Sequence, residues 1–491
     1  MNPPISPEDA SGRKLYQREL FSNQVWQGVN FLSKAGFLVL LTPLMILKWG
    51  AEGYGLFALA SSLLVSMALL DGGVRALTRI RLTEALKLGD DEAFRRVYAE
   101  GLFTFLCVSA LAGALALVLA SGGGMTTLLK LPEGGAGVLV LTVFLTGLLM
   151  TTLLGLEPLA ARGNLSILKA ANTWGALMAI PICAAAVWFG GSVGLVVCLY
   201  SICLIAPNVL VAARSGLLAL TPWKYFLRFG PGVALETLHA GIWFYLTTVS
   251  LVLKTHALTF LVSALAGPAE AGVFYVLLRL SEVVGNVGAT ASETSLAALA
   301  GARSDAERAE NFRQSWQYVA VFCLHGAMVF ALLGDQLIHF WLAAAKILPL
   351  GAGAALGVFG LTGAFSRVVI NAAMGLNVVK GAAIASLAEA VTDIILAAIG
   401  YRVAGLPGLF LAGGAGVVFL FPTAARIARL CGQQVRTVYL SPLGPLVPGL
   451  AVAGAIQFAA GWSSHWGVWL LALAGSGLVA VWQLRKIHAR G

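Results

Sequence analysis

Charge is scarce in this chain. Only 11% of its 491 residues are Asp, Glu, Lys or Arg, against about 25% in soluble domains. No stretch between apolar runs is long enough for a folded water-soluble domain. The six cysteines form no CxxC pair, so neither a zinc site nor a disulfide framework is indicated. The six histidines make no HxxxH or HExxH pattern, and GxxxxGK[ST] is absent. Metal hydrolysis and direct use of ATP therefore have no motif to rest on. The opening stretch, MNPPISPEDASGRKLYQREL, is polar and carries no signal-peptide pattern. Basic residues outnumber acidic ones by ten, yet they form no single patch, which argues against a nucleic-acid partner.

What the chain has is apolar sequence. Hydrophobic residues make up 59% and mean hydropathy is +0.87. Runs near the ~20 residues needed to cross a bilayer recur throughout, and 57 glycines suit close helix contact in lipid. The class is an all-α polytopic membrane protein. Fourteen spans are expected, at about 24–47, 54–78, 101–120, 136–160, 173–189, 193–213, 234–264, 271–298, 316–333, 351–376, 381–403, 407–425, 443–461 and 466–484. With the N-terminus cytoplasmic, the inner segments hold 23 Lys and Arg and the outer ones only Lys48, Lys130, Lys346 and Arg402. The positive-inside rule thus puts both termini in the cytoplasm.

A repeat is present. WGAEGYGLF (49–57) and AGPAEAGVF (266–274) share G-x4-G-[LV]-F, with Gly50 and Gly55 matching Gly267 and Gly272. The offset between the copies is close to the length of six spans with their loops. Two parallel six-helix lobes are expected, 1–215 and 216–430, followed by two further helices in 431–491.

Some charges lie inside or at the edge of spans: Lys34, Arg75, Lys254, Arg279 and Arg367, with Asp71, Glu157, Glu236, Glu282, Glu293, Glu389 and Asp393. Each basic residue would cost roughly 2.5–3.5 kcal/mol at a helix centre facing lipid. Steps of three and four put polar residues on one helical face. Gln27, Asn30 and Lys34 share one; so do Glu236, His239, Thr247, Ser250 and Lys254; so do Arg279, Glu282, Asn286 and Glu293. Arg367 pairs with Asn371, and Glu389 with Asp393. Such stripes on several helices are expected to line a central water-accessible lumen. Simpler readings stand beside this one. Lys254 can snorkel to headgroups, Arg75 can begin the inner loop, and the Arg279–Glu282 and Glu389–Asp393 pairs can brace helices. Glu157 suits an interfacial ion pair beside Arg162. Asp71 and Arg75, four apart at the end of the second span, suit an ion pair at an inner gate.

The residues also carry a resemblance. Gly50, Tyr54-Gly55-Leu56-Phe57 and the Asp71-x-Gly73 ending of the second span resemble bacterial polysaccharide flippases of the Wzx type, in the MATE-like MOP superfamily. GPAEAGVFYVLLRLSEV (267–283), LIHFWL (337–342) and Gly405-Leu-Pro-Gly408 fit as well. The resemblance implies a MATE-like fold in the bacterial inner membrane. It also implies transport, without enzymatic chemistry or cofactor, of an undecaprenyl-pyrophosphate-linked oligosaccharide to the outer leaflet. The cationic lumen would be Lys34, Arg367, Arg279, Arg75 and Lys254. Coupling to H+ or Na+ or gating would fall to Asp71, Glu236, Glu282, Glu293, Glu389 and Asp393. Gln27, Asn30, Asn286 and Asn371 would line the path. A monomer that can contact polysaccharide polymerase machinery is expected. Two rivals remain: a cation or drug exporter of the same fold, and an integral-membrane glycan polymerase or ligase. The first favours an anionic lumen. The second needs a sizeable outer loop, and the outer loops here are short and mostly apolar or glycine-rich.

Overall fold

The computed structural model describes residues 10–66, 73–215, 217, 225, 229–282, 304–341, 352–376 and 378–434. The expected spans at 443–461 and 466–484, and the inner part of 271–298, lie outside the described residues. Every described element is a helix. They run α1 (Ala10–Ser66, two helical stretches joined at a kink at Gly50), α2 (Val74–Leu88), α3 (Asp91–Ser121), α4 (Gly124–Leu129), α5 (Gly135–Gly155), α6 (Glu157–Ala161), α7 (Leu165–Trp188) and α8 (Val193–Arg214). Then follow α9 (Pro231–Val252), a π-helical turn (Leu253–Ala257), α10 (Leu258–Ala266) and α11 (268–282). The last are α12 (Asp305–Trp341), α13 (Ala352–Gly375), α14 (Val379–Ala412), a 3-10 turn (Ala415–Leu420) and α15 (Phe421–Leu430).

Among the described residues, eight helical runs are long and apolar enough to cross a membrane. Two expected spans, 381–403 and 407–425, fall within one such run, Val379–Leu430, broken at Ala404 and Gly405. The apolar residues facing outward, such as Leu115, Val118 and Leu148, suit acyl chains. Inside helices, Thr142, Thr146 and Thr151 satisfy their hydroxyls on carbonyls four residues back.

The chain forms two compact units. The first is Met1–Val252 with Thr259–Tyr275; the second is Leu253–Leu258 with Val276–Gly491. In the first, α1 packs on α7, α7 on α8, and α3 on α5. In the second, α12 packs on α13, and α13 on α14.

The repeat has a structural reason. Gly50 and Gly267 both have left-handed backbone, at φ 71° and 97°, a conformation that favours glycine. Five residues on, Gly55 and Gly272 meet. A methyl group on Gly55 would strike the Pro268 carbonyl, and one on Gly272 would lie 3.1 Å from the Gly55 backbone. Phe57 and Phe274 complete each copy as buried side chains. The two motifs therefore share a bend and pack against each other.

One boundary differs from the sequence reading, in which the second span runs through residue 78. Gly73 instead takes left-handed backbone at φ 71° and caps a new helix, α2. A helix cannot pass through that conformation, so the continuous helical face expected from position 71 to Arg75 is corrected. A side chain at Gly73 would also meet the Gly241 carbonyl of α9 at 2.7 Å. This gives the glycine of the Asp-x-Gly ending a physical cause.

Candidate functional site

In the second unit the α-helical ladder slips into a π turn at Leu253–Ala257. Such turns often mark functional positions. This one holds two buried titratable side chains, Lys254 and His256. Two residues apart, they point to different neighbours.

Lys254 points to α14 and does not snorkel. Its Nζ forms an ion pair with Glu389, lies 3.2 Å from Asp393 and 3.3 Å from the Ser366 Oγ of α13. Ser366 also donates to Glu389. All three charged residues are at most 2% exposed. The Gly416 amide donates to Asp393 at 2.6 Å. It reaches that close because a side chain at 416 would collide with Glu389 and Asp393, and this is why glycine stands there. Two carboxylates face one ammonium, so these three groups, fully ionised, carry one surplus negative charge. Uncompensated charge away from water is expensive. The arrangement can therefore hold one more cation, such as a proton.

His256 points to α11. Its Nε2 lies 3.7 Å from Glu282. Glu282 accepts from Arg279 Nη1 at 2.7 Å, an i,i+3 pair on one helical face. Arg367, next to Ser366 on α13, acts electrostatically on both Glu282 and His256. In this second cluster Arg279 binds the carboxylate beside one imidazole, and Arg367 adds its positive field to both. One helix turn and one Ser366-Arg367 pair thus serve two adjoining clusters, the first rich in carboxylate and the second in guanidinium.

The first unit holds a separate arrangement. Glu157 is fully buried where α5 breaks into α6, with Pro158 in the first turn of the new helix. Arg75 Nε and Nη2 donate to its Oε1 at 3.0 and 2.9 Å. Arg79 Nε and Nη2 donate to Oε2 and Oε1 at 2.7 and 3.1 Å. Both arginines come from α2. Arg75 is therefore bound to Glu157. Arg79 is a partner in that bridge as well as a positive-inside residue.

Of the other expected site residues, Glu236 and His239 are exposed, while Thr247, Ser250 and Lys254 further along their stripe are buried. Asn30 on α1 and Asn371 on α13 are half-buried. Asp71, Asn286 and Glu293 lie outside the described residues, as do the side chains of Gln27 and Lys34. Sequence reading does not single out His256 or Gly416, nor does it give Ser366 a part. The available signal is adjacency: His256 is two residues from Lys254, and Ser366 precedes Arg367.

A family profile described as "Polysaccharide biosynthesis protein" matches residues 51–345, more than half of the chain. The chain belongs to the polysaccharide biosynthesis protein family. No curated protein sequence matches it. Among solved structures, the lipid II flippase MurJ in an inward closed conformation superposes with a TM-score of 0.66 at 12% identity. The match covers 97% of this chain and 99% of MurJ. An inward-facing multidrug resistance MATE transporter of the MOP superfamily gives 0.61 at 15% identity, covering 83% of this chain and 95% of its own. The bent form of the Vibrio cholerae MATE transporter VcmN gives 0.52 at 14% identity, covering 87% and 98%. At such identities the likeness is one of fold. This family member has the MATE-like fold of membrane transporters, as its residues suggested.

Proposed function

We propose that this member of the polysaccharide biosynthesis family flips an undecaprenyl-pyrophosphate-linked oligosaccharide from the inner to the outer leaflet of the bacterial inner membrane. It does so by alternating access, driven by an ion gradient. The observation that carries the reading is the Arg279–Glu282 ion pair, on whose carboxylate Arg367 also acts electrostatically. Guanidiniums are well suited to phosphate oxygens because they donate two parallel hydrogen bonds. A diphosphate offers acceptor oxygens to both guanidiniums at once. Lys34 and Arg75 are proposed as further headgroup contacts, for which Arg75 would exchange its Glu157 partner for phosphate oxygens.

The Lys254–Glu389–Asp393 cluster is the proposed coupling site. It has two carboxylates to one ammonium, and a proton or sodium ion supplies the balance. A cationic drug is a poorer fit as cargo, because it would have to displace Lys254 from the buried carboxylates.

The test is export in cells whose surface glycan depends on this protein. Arg367→Ala, Arg279→Ala and Lys34→Ala should each reduce surface glycan at least tenfold at unchanged membrane abundance, with lipid-linked glycan accumulating inside. Full export by all three variants would overturn the anionic-headgroup reading.

A further inference from the structure

His256 has no part in the coupling cluster, yet it is buried on the same turn. The charged groups about it are Glu282 and Arg279 on α11 and Arg367 on α13. Across the turn stand Lys254 and its partners Glu389 and Asp393 on α14. Its Nε2 faces a Glu282 oxygen at 3.7 Å, too long for a hydrogen bond. Its Nδ1 is buried with no hydrogen-bond partner among the described residues. A buried imidazole so placed is poised for a change of partner. A proton on this ring would place a further positive charge away from water and beside Arg279.

An anionic diphosphate changes that balance. It offers Arg279 and Arg367 more oxygens, and more charge, than Glu282 does. Glu282 then remains behind as a carboxylate only 10% exposed, which is costly without a partner. His256 is the group within reach. A proton on Nε2 lets the ring close the gap to Glu282 as a charge-assisted hydrogen bond. We propose that His256 takes up one proton when a diphosphate headgroup draws Arg279 and Arg367 away from Glu282, and gives it back when the headgroup leaves. The proton comes from water and no covalent bond to carbon is made or broken. Each headgroup bound thus brings a proton with it, in addition to any cation held at Lys254. This rests on the headgroup reading above and names a residue that it did not.

The direct measurement is nitrogen-15 NMR of the histidine rings in the full chain, labelled at histidine and held in lipid nanodiscs. The His256 signal is assigned by its loss in His256→Gln or His256→Asn. If neither variant accumulates, a chain lacking the other five histidines displays it alone. Undecaprenyl pyrophosphate is the probe, and its binding is followed separately by phosphorus-31 NMR. The expected result is that the two widely separated ring resonances of neutral His256 converge toward a single imidazolium position on binding. Binding with an unchanged ring overturns this inference and leaves the headgroup reading standing. Failure of the probe to bind overturns both. A response to inorganic pyrophosphate, with none to the lipid, makes free pyrophosphate the ligand and overturns the link to the headgroup.

Discussion

Glu157 shows how much depends on which partner of an ion pair is buried. The carboxylate is fully buried, while Arg75 and Arg79 are 25% and 40% exposed. Losing Glu157 leaves two guanidiniums that can reach water or lipid phosphate. Losing both arginines leaves a buried carboxylate with its main counter-charges gone. The energetic cost is therefore unequal. Glu157→Gln should destabilise by about 1–2 kcal/mol, the scale of hydrogen bonds to charged groups after screening. The double variant Arg75→Ala/Arg79→Ala should cost about 3–5 kcal/mol, the scale for stranding a buried charge. Thermal unfolding of the purified protein in detergent separates the two; equal shifts would contradict the asymmetry. The same logic holds at Lys254. Lys254→Ala strands two carboxylates, so it should be more damaging to folded yield than Lys254→Ala combined with Glu389→Gln. Comparing the membrane abundance of the two variants, by immunoblot at matched expression, checks this.

At the scale of elements, glycine placement governs how helices meet. Gly55 faces the Pro268 carbonyl and Gly272 faces the Gly55 backbone, so neither has room for a side chain. Gly55→Ala has no flexible atom to push aside, only the Pro268 carbonyl. It should destabilise by about 1–3 kcal/mol through overpacking, read as a lower unfolding temperature. Gly163→Ala is a useful contrast: Gly163 is left-handed, at φ 86°, with open space around it, so only backbone strain is felt there. These elements also show what was legible in advance. The Gly50/Gly267 repeat could be read as a pattern in the residues, and the structure supplies its reason in a shared bend. The end of the second span could not. The sequence reading carries that span on to residue 78, and nothing in its apolar pattern announces that the left-handed backbone at Gly73 begins a new helix. The π turn was equally invisible, because a single slipped hydrogen-bond register leaves apolar periodicity almost unchanged.

At the scale of the molecule, two adjoining clusters of opposite character lie in the second unit. The charges of their six named members cancel: Lys254, Arg279 and Arg367 against Glu282, Glu389 and Asp393. An anion taken by one cluster and a cation taken by the other would preserve that balance, which is the physical basis of the proposed coupling. It predicts an interaction between substitutions that touch different ligands. Glu389→Gln, which removes one carboxylate from the coupling cluster, should weaken the dependence of glycan export on the ion gradient more than it weakens headgroup binding. Transport in proteoliposomes with an imposed pH or sodium gradient, set against equilibrium binding, makes the comparison. Equal losses in both would count against separate roles.

Composition alone determined the membrane class, because 11% charge and repeated long apolar runs leave no other stable arrangement for the chain. It also identified the residues that had to avoid lipid, since intramembrane charge is costly wherever it falls. Tertiary structure alone decided their partners. Lys254 meets Glu389, 135 residues away, and Arg75 meets Glu157, 82 residues away. Periodicity assigns a residue to a face of its own helix. Which other helix that face meets depends on packing across the fold, where glycines at 55, 73, 272 and 416 let backbones approach and bring distant charges together.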